Sequence, residues 1–330
     1  MNSIDRLREV MGTGAMVPEH EETKFVYGVN GITVKMIDWP NNPYRAMYVM
    51  ATSCWGDKID KWEKTEAEYR FEVVKAVLRK EALPLAAEAP KFTFVVEGPS
   101  RAAFDQIARA RLGVVFSAKG MRDNNWSTCG IRIPNWLKMK AQGIVEDEMR
   151  EVKKLYHSLV KKDKGTWQAA RAVLPLSVVY GWSMSINYLA LANLCSARMK
   201  FCEQEDTVAT AWLLADAVRK RFPLLGQYLR PGCDFSGKCS YHKQYGFSEL
   251  FGCLFKECGR NNCESCSNYH IFNMACSDSK LIEKQLGIKI PTPKEFKENE
   301  TVYYRDLSGK DKILFEDVTS TMIVREVPKL

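Results

Sequence analysis

Several features are missing from this chain, and their absence narrows what it can be. The first ten residues, MNSIDRLREV, are charged and contain no apolar core, so no secretory signal is recognisable. No apolar run is clean enough to span a bilayer. The nearest, Ala172 to Cys195, is interrupted by Pro175, Ser177, Ser183, Ser185, Asn187 and Asn193, which would be stranded in hydrocarbon. Internal repeats and low-complexity tracts are absent. So is the doubled C-x2-C spacing of common zinc folds, although cysteine itself is not scarce. The expectation is a cytoplasmic protein with reduced thiols and no membrane partner.

A chain of 330 residues can bury one large core or two small ones. Its 46% hydrophobic and 27% charged content is that of an ordinary globular protein. A formal charge of +8 favours anionic ligands but is too diffuse to make a nucleic-acid surface. Seven of the 11 cysteines fall between Cys233 and Cys276, so they form a district of their own. There, Cys233-x5-Cys239-x2-His242 is followed by Cys258-x4-Cys263-x2-Cys266. Tetrahedral zinc takes four such ligands, which points to a structural site built from Cys233, Cys239, Cys258 and one of Cys263 or Cys266. The competing reading is free, packed thiols.

The stretch from Phe92 to Asp123 organises the chain. Phe92 to Val96 reads as a short buried strand ending at Gly98-Pro99. Ser100 then caps an amphipathic helix expected from Arg101 to about Leu112. Gln106 and Arg109 share a face of that helix, Arg111 follows before Gly113, and Ser117, Lys119 and Arg122 lie just beyond. Guanidinium forks grip phosphate oxygens in pairs, so this crowding suits a nucleotide phosphate. The bland alternative is a solvated helix face with Arg109 paired to Asp105.

The run Gln106-x-x-Arg109-x-Arg111-x-Gly113, with Ser117 and Arg122 after it, resembles the signature of the flavin-dependent thymidylate synthases. That family carries Q-x-x-R-H-R after an F-T-F strand, then a serine-rich segment ending in arginine. A second similarity lies in Arg171 to Arg198, where Arg171, Leu174 and Pro175 resemble the family's R-x-x-L-P stretch. Asn187, Asn193 and Arg198 match the asparagines and arginine that follow it. The resemblance implies an α/β fold, with a mostly antiparallel sheet flanked by helices, and a homotetramer with flavin sites between subunits. It further implies FAD as hydride donor, methylenetetrahydrofolate as carbon donor and NADPH as reductant, in C5 methylation of a pyrimidine deoxynucleotide, by default dUMP to dTMP. Position by position, Gln106, Arg109, Ser117, Arg122 and Arg171 would bind nucleotide, and Glu88, Arg109, Arg111, Asn187 and Asn193 would bind flavin. Arg198 would stabilise charge developing on the ring. Departures are visible too. Ala110 stands at the signature histidine, and Ala118, Lys119 and Gly120 stand at polar and serine positions. Leu83 and Ala89 stand where the resembled family has histidines around Glu88, and Cys202 stands near where it has a flavin-side histidine. They leave room for a homologue that methylates or hydroxymethylates another pyrimidine nucleotide.

Elsewhere, Lys24 to Trp39 suggests a hairpin turning at Gly28 to Gly31. The family resemblance implies a helix over Tyr44 to Ser53, and further helices are expected over Ile59 to Lys80 (with Tyr69, Phe71, Val74, Ala76 and Val77 inward), Trp136 to Lys161, Glu205 to Arg221 and Ser279 to Leu286. The apolar run through Asn187 and Arg198 reads as a buried helix, with those two side chains three turns apart on one face. Strands are expected near Thr301 to Tyr304 and Ile313 to Phe315. This divides the chain into a flavin- and nucleotide-binding core at 1–225, a cysteine-rich segment at 226–280 and a tail at 281–330. A reading of another class is a zinc-stabilised nucleic-acid-binding protein without catalysis. It draws on the charge, the Cys/His cluster and Tyr241, Tyr245 and Phe247, but basic residues do not gather near the cysteines, so no nucleic-acid partner is expected.

Overall fold

Runs of alternating large and small residues pair into the central sheet of the computed structural model. The structure describes residues 23–53, 62–122, 124–135, 137, 139–162, 167–200, 203–232 and 279–290, and the backbone of 302–305, 312–316 and 322–326. In order, these form β1 (Phe25–Tyr27), β2 (Thr33–Asp38), α1 (Pro43–Thr52), α2 (Ala67–Leu78), β3 (Lys91–Ser100), α3 (Arg101–Ile107), β4 (Val114–Ala118) and β5 (Ile131–Ile133). There follow α4 (Met139–Lys162), α5 (Trp167–Ala170), β6 (Val179–Asn187), α6 (Tyr188–Arg198), α7 (Glu205–Arg221), α8 (Pro223–Gln227) and α9 (Ser279–Leu286). The tail carries β7 (Val302–Arg305), β8 (Lys312–Glu316) and β9 (Met322–Glu326). Short 3-10 turns span Trp62–Lys64, Pro84–Glu88 and Arg171–Val173.

The sheet has the order β2-β3-β6-β4 and is antiparallel throughout, as expected. Because side chains alternate along a strand, one face collects Phe92, Phe94 and Val96 from β3 with Tyr180, Trp182, Met184 and Ile186 from β6, all buried. Against this face lies α7, which packs on β2 and β3 and is buried nearly all round from Glu205 to Trp212. The other face carries Thr33, Lys35, Val115 and Ser117, all exposed, between half-buried Thr93, Val95, Ser183 and Ser185. Val115 there is 72% exposed. Among the described residues, no helix is long and apolar enough to cross a membrane.

Several local expectations are corrected. Lys24 to Trp39 is not a hairpin: β1 pairs in parallel with β5 while β2 joins β3, so the turn at Gly28 to Gly31 hands the chain from one sheet to another. Strand β3 does not stop at Gly98-Pro99. It passes through them on a bulge between Glu97 and Ser100, where Pro99 lacks an N–H and Gly98 takes φ +99 against the carbonyl of Gly31. Helix α3 ends at Ile107 rather than near Leu112, because the chain must turn at Gly113 (φ +71) into β4. In the long helix expected from Ile59, a break at Thr65 and Glu66 divides the Trp62–Lys64 turn from α2, and Tyr69 faces outward while Arg70 goes in over the Trp62 ring.

The largest correction concerns Val179 to Asn187, read as helix and found as strand β6. The sequence VYGWSMSIN does alternate, with Gly181, Ser183 and Ser185 between the large residues. Asn187 therefore does not share a helix face with Arg198. It is the last strand residue and the N-cap of α6. By contrast, α7 and α9 fall where expected, Ser100 caps α3 by accepting from Ala103 N, and the two tail strands pair antiparallel. A third tail strand, β9, was not anticipated. Cys233, Cys239, Cys258, Cys263, Cys266 and His242 lie outside the described residues.

Candidate active site

A cleft of about 490 Å³ opens where β4 ends, between Ala118–Met121 and the 171–176 turn. Arg101, Lys119 and Arg171 supply three cations to its lining, and Asp105 one carboxylate. The reason lies in the backbone. Arg101 N and Ala102 N donate to Val178 O and Leu176 O, fastening the start of α3 to the segment that leads from Arg171 into β6. Lys119 N donates to Gly181 O, which brings the end of β4 to the same place.

Aromatic side chains hold two of these cations, Arg101 and Lys119, in position. Arg101 Nη1 donates to the Tyr180 hydroxyl at 2.9 Å, and that hydroxyl donates to Lys119 O at 2.6 Å. Burial pushes the Tyr180 phenol up, against the pull of Arg101, so it stays a neutral donor. Arg101 also pairs with Asp105 at 3.0 Å and lies 4.9 Å from the Tyr180 ring centroid. Trp126 stacks on Tyr180 at 5.5 Å, and Lys119 Nζ sits 4.9 Å from the centre of the Trp126 ring. Asp105 pairs with Arg101, not with Arg109 as the bland reading had it.

Of the residues to which the family resemblance gave a binding or catalytic role, Arg171 alone lines this cleft, joined by Lys119 from the same basic stretch and by Leu174 and Pro175 of the second motif. Ser117 points to the uncovered face of the sheet, half-buried Gln106 stays on α3, and Arg122 is exposed beyond β4. Arg109 and Arg111 are exposed on the turn after α3. That turn is held by Asn187: its N donates to Gly113 O at 2.8 Å, and a Cβ on Gly113 would lie 2.4 Å from Asn187 Nδ2. Asn187 Oδ1 accepts from Ala190 N at 2.8 Å, which leaves the Nδ2 donor as the part of this amide able to face a ligand. Asn193 is exposed on α6 and meets Lys80 Nζ at 3.4 Å; Glu88, also exposed, closes the 3-10 turn on which α6 packs. Arg198 ends α6 and is paired with Glu203 at 2.7 Å. Among the described residues, these side chains are carried on α3 and the turn after it, on α6 and its neighbouring turn, and on β4 and beyond it, and Arg171 alone of the family-implied set lines the cleft.

Behind the cleft lies a buried polar layer that the sequence reading missed. Arg132, 3% exposed, donates to the carbonyls of Gly28, Asn30 and Gly98. Burial lowers its pKa, and Asp206 and Glu205 oppose that shift. Asp206 Oδ2 accepts from Ser100 N at 2.9 Å, and Glu205 Oε1 from Asn135 N at 2.7 Å. Burial raises the Glu205 carboxyl above the usual glutamate range, against its hydrogen bonds and Arg132. The signal was available as two acids in the first turn of a helix whose next turns, through Ala215, are mostly apolar, a place where the helix dipole favours them. Lys153 is similar: it lies among exposed helix charges in sequence, yet it is buried, with Nζ donating to Trp126 O and Cys129 O. Among the described residues, Cys129 and Cys195 are free thiols, and no group of three or more metal-ligating side chains occurs.

A family model described as thymidylate synthase complementing protein matches residues 35–224. The flavin-dependent thymidylate synthase of Saccharolobus solfataricus is 25% identical over 210 residues, covering 61% of this chain and 78% of that one. The flavin-dependent thymidylate synthase of Sulfurisphaera tokodaii is 28% identical over 144 residues, 43% of this chain and 55% of that one. The crystal structure of a UMP/dUMP methylase from Streptomyces cacaoi, bound with 5-Br dUMP, shares the fold. Its TM-score is 0.51 at 17% identity, over 62% of this chain and 96% of that one.

Proposed function

The chain belongs to the thymidylate synthase complementing protein family, an enzyme family of flavin-dependent thymidylate synthase type, and from that premise we propose that it methylates carbon 5 of a pyrimidine deoxynucleotide, dUMP being the default substrate. The observation that carries the proposal is the cleft at Arg171. Arg101 already has Asp105 as counter-ion, so Lys119 and Arg171 bring two further positive charges to a phosphate monoester that carries about two negative ones. Arg171 offers a planar fork and Lys119 a mobile point charge above an aromatic ring.

When bound, reduced FAD supplies the hydride, methylenetetrahydrofolate the carbon and NADPH the reducing equivalents. The protein's part is binding, orientation and electrostatics. Arg109 and Arg111, side by side on an exposed turn, suit a flavin's phosphates, and Asn187 holds that turn in place while offering Nδ2. Asn193 and Glu88 extend the same function along α6 and its neighbouring turn. Gln106 and Arg122 would contact nucleotide from α3 and from the end of β4, with Ser117 facing the same ligand from a second chain. Arg198 stands beside the ring and stabilises the charge that develops there.

Two observations support assembly into a homotetramer with sites between subunits. The proposed ligand-binding residues of one chain lie in separate districts, and one face of the central sheet is uncovered among the described residues. A second substrate reading, another pyrimidine nucleotide, is favoured by Lys119, which stands in the cleft at a position where the resembled family carries polar or serine residues. The deciding experiment is the visible spectrum of the purified protein after loading with FAD and removal of the excess. A retained flavin band that NADPH bleaches, with dUMP or another nucleotide altering the bleaching rate, supports the reading and sorts the substrates. Protein that stays colourless would sink it and bring forward a zinc-stabilised nucleic-acid binder.

A further inference from the structure

Arg198 is the last residue of α6, and its Nη1 donates to Glu203 Oε2 at 2.7 Å. Both side chains are largely withdrawn from water, 17% and 20% exposed, so solvent screens their attraction less than it would screen a surface pair. The pair is not a helix-face pair. Glu203 lies five residues on from Arg198, after α6 has ended. Its position is fixed by what comes next. Gln204 Nε2 donates to Ser100 Oγ at 3.2 Å, Glu205 Oε1 accepts from Asn135 N at 2.7 Å, and Asp206 Oδ2 accepts from Ser100 N at 2.9 Å. Three consecutive side chains are thus anchored on other elements, and α7 starts within them. Glu203 is presented by a pinned backbone, whereas Arg198 reaches it through a long side chain with many rotamers.

We propose that Glu203 is a positioning residue that holds the Arg198 guanidinium by Nη1 and leaves its Nε and Nη2 donors directed at the pyrimidine ring. This rests on the reading of Arg198 as the group beside that ring. A carboxylate on one end of the fork restricts the guanidinium to one orientation before substrate arrives, so less freedom is lost when the ring binds.

The test is a double-mutant cycle in the FAD-loaded protein, with Glu203→Ala, Glu203→Gln, Arg198→Ala and Arg198→Ala/Glu203→Ala. Nucleotide binding is titrated without turnover, and thermal melting is followed in parallel. Glu203→Ala should lower kcat roughly 10- to 100-fold while the nucleotide Kd and KM change by no more than about threefold. Glu203→Gln should recover most of that loss, because its amide oxygen still accepts from Nη1. The double variant should be no slower than Arg198→Ala alone. A further loss from Glu203→Ala in the Arg198→Ala background, or a loss that simply follows a fall in melting temperature, would overturn the inference. If Arg198→Ala is crippled and Glu203→Ala is normal, the positioning role fails and the role of Arg198 stands. If Arg198→Ala turns over normally, the reading of Arg198 fails and takes the inference with it.

Discussion

The two faces of the central sheet are made by the same strands and differ in almost every other respect. On one, Phe92, Phe94, Val96, Trp182, Met184 and Ile186 are sealed under helices. On the other, one residue along each strand, Thr93, Ser183 and Ser185 meet partial exposure and Val115 and Ser117 meet water. The first face closes entirely within the chain, so its side chains are chosen for shape and apolar area. The second is finished by nothing in the described residues, and its small polar side chains suit a surface that meets ligand or another subunit. The polar layer at Arg132, Glu205 and Asp206 lies in the buried half of the molecule, where each charge needs hydrogen bonds to be tolerated.

This contrast can be tested from both sides. The largest effect is expected from Phe94→Ala, which empties a fully buried position facing α7 and should cost about 3–5 kcal/mol in urea unfolding. A loss below about 1 kcal/mol would mean the sealed face is loosely packed. Val115→Lys on the uncovered face should change the subunit's own stability by no more than about 1 kcal/mol. If that face is a subunit interface, the variant should run as a smaller species in light scattering. An unchanged mass would place the interface elsewhere.

A pH-dependent effect is expected at Glu205, in the buried polar layer. Its carboxyl is raised in the folded state, so the stability it contributes is fully present below the ordinary glutamate range. That contribution is lost as pH rises through the raised folded value. Glu205→Gln keeps an acceptor for Asn135 N and removes the titration. The variant should therefore gain on the wild type as pH rises from the ordinary glutamate range through the raised folded value, and no further above it. Parallel stability curves for the two proteins would show that Glu205 carries no raised pKa.

How much of this was readable in advance depends on the range of the forces involved. The two signature stretches were visible as residue patterns, and the arginines on them could be named. Where those arginines go was not visible: Arg171 meets Lys119 and Arg101, while Arg109 and Arg111 sit on a different turn held by Asn187. Glu203 escaped because its partner is not at helical spacing, and Lys153 because buried and exposed lysines look alike in a charged helix.

By itself, the sequence determined what local chemistry can determine. Ser100 caps the helix that follows it, and Glu205–Arg221 begins with acids, ends in bases and stops before Pro223. Caps, dipoles and breakers act over a few residues, so these elements can be read without the rest of the chain. Only the tertiary structure made Val179–Asn187 a strand, since its backbone groups are satisfied by β3 and β4 across separations such as the 92 residues between Thr93 and Ser185. The same holds for the cleft, whose charges come from three separate parts of the chain and meet because strand pairing brings their ends together.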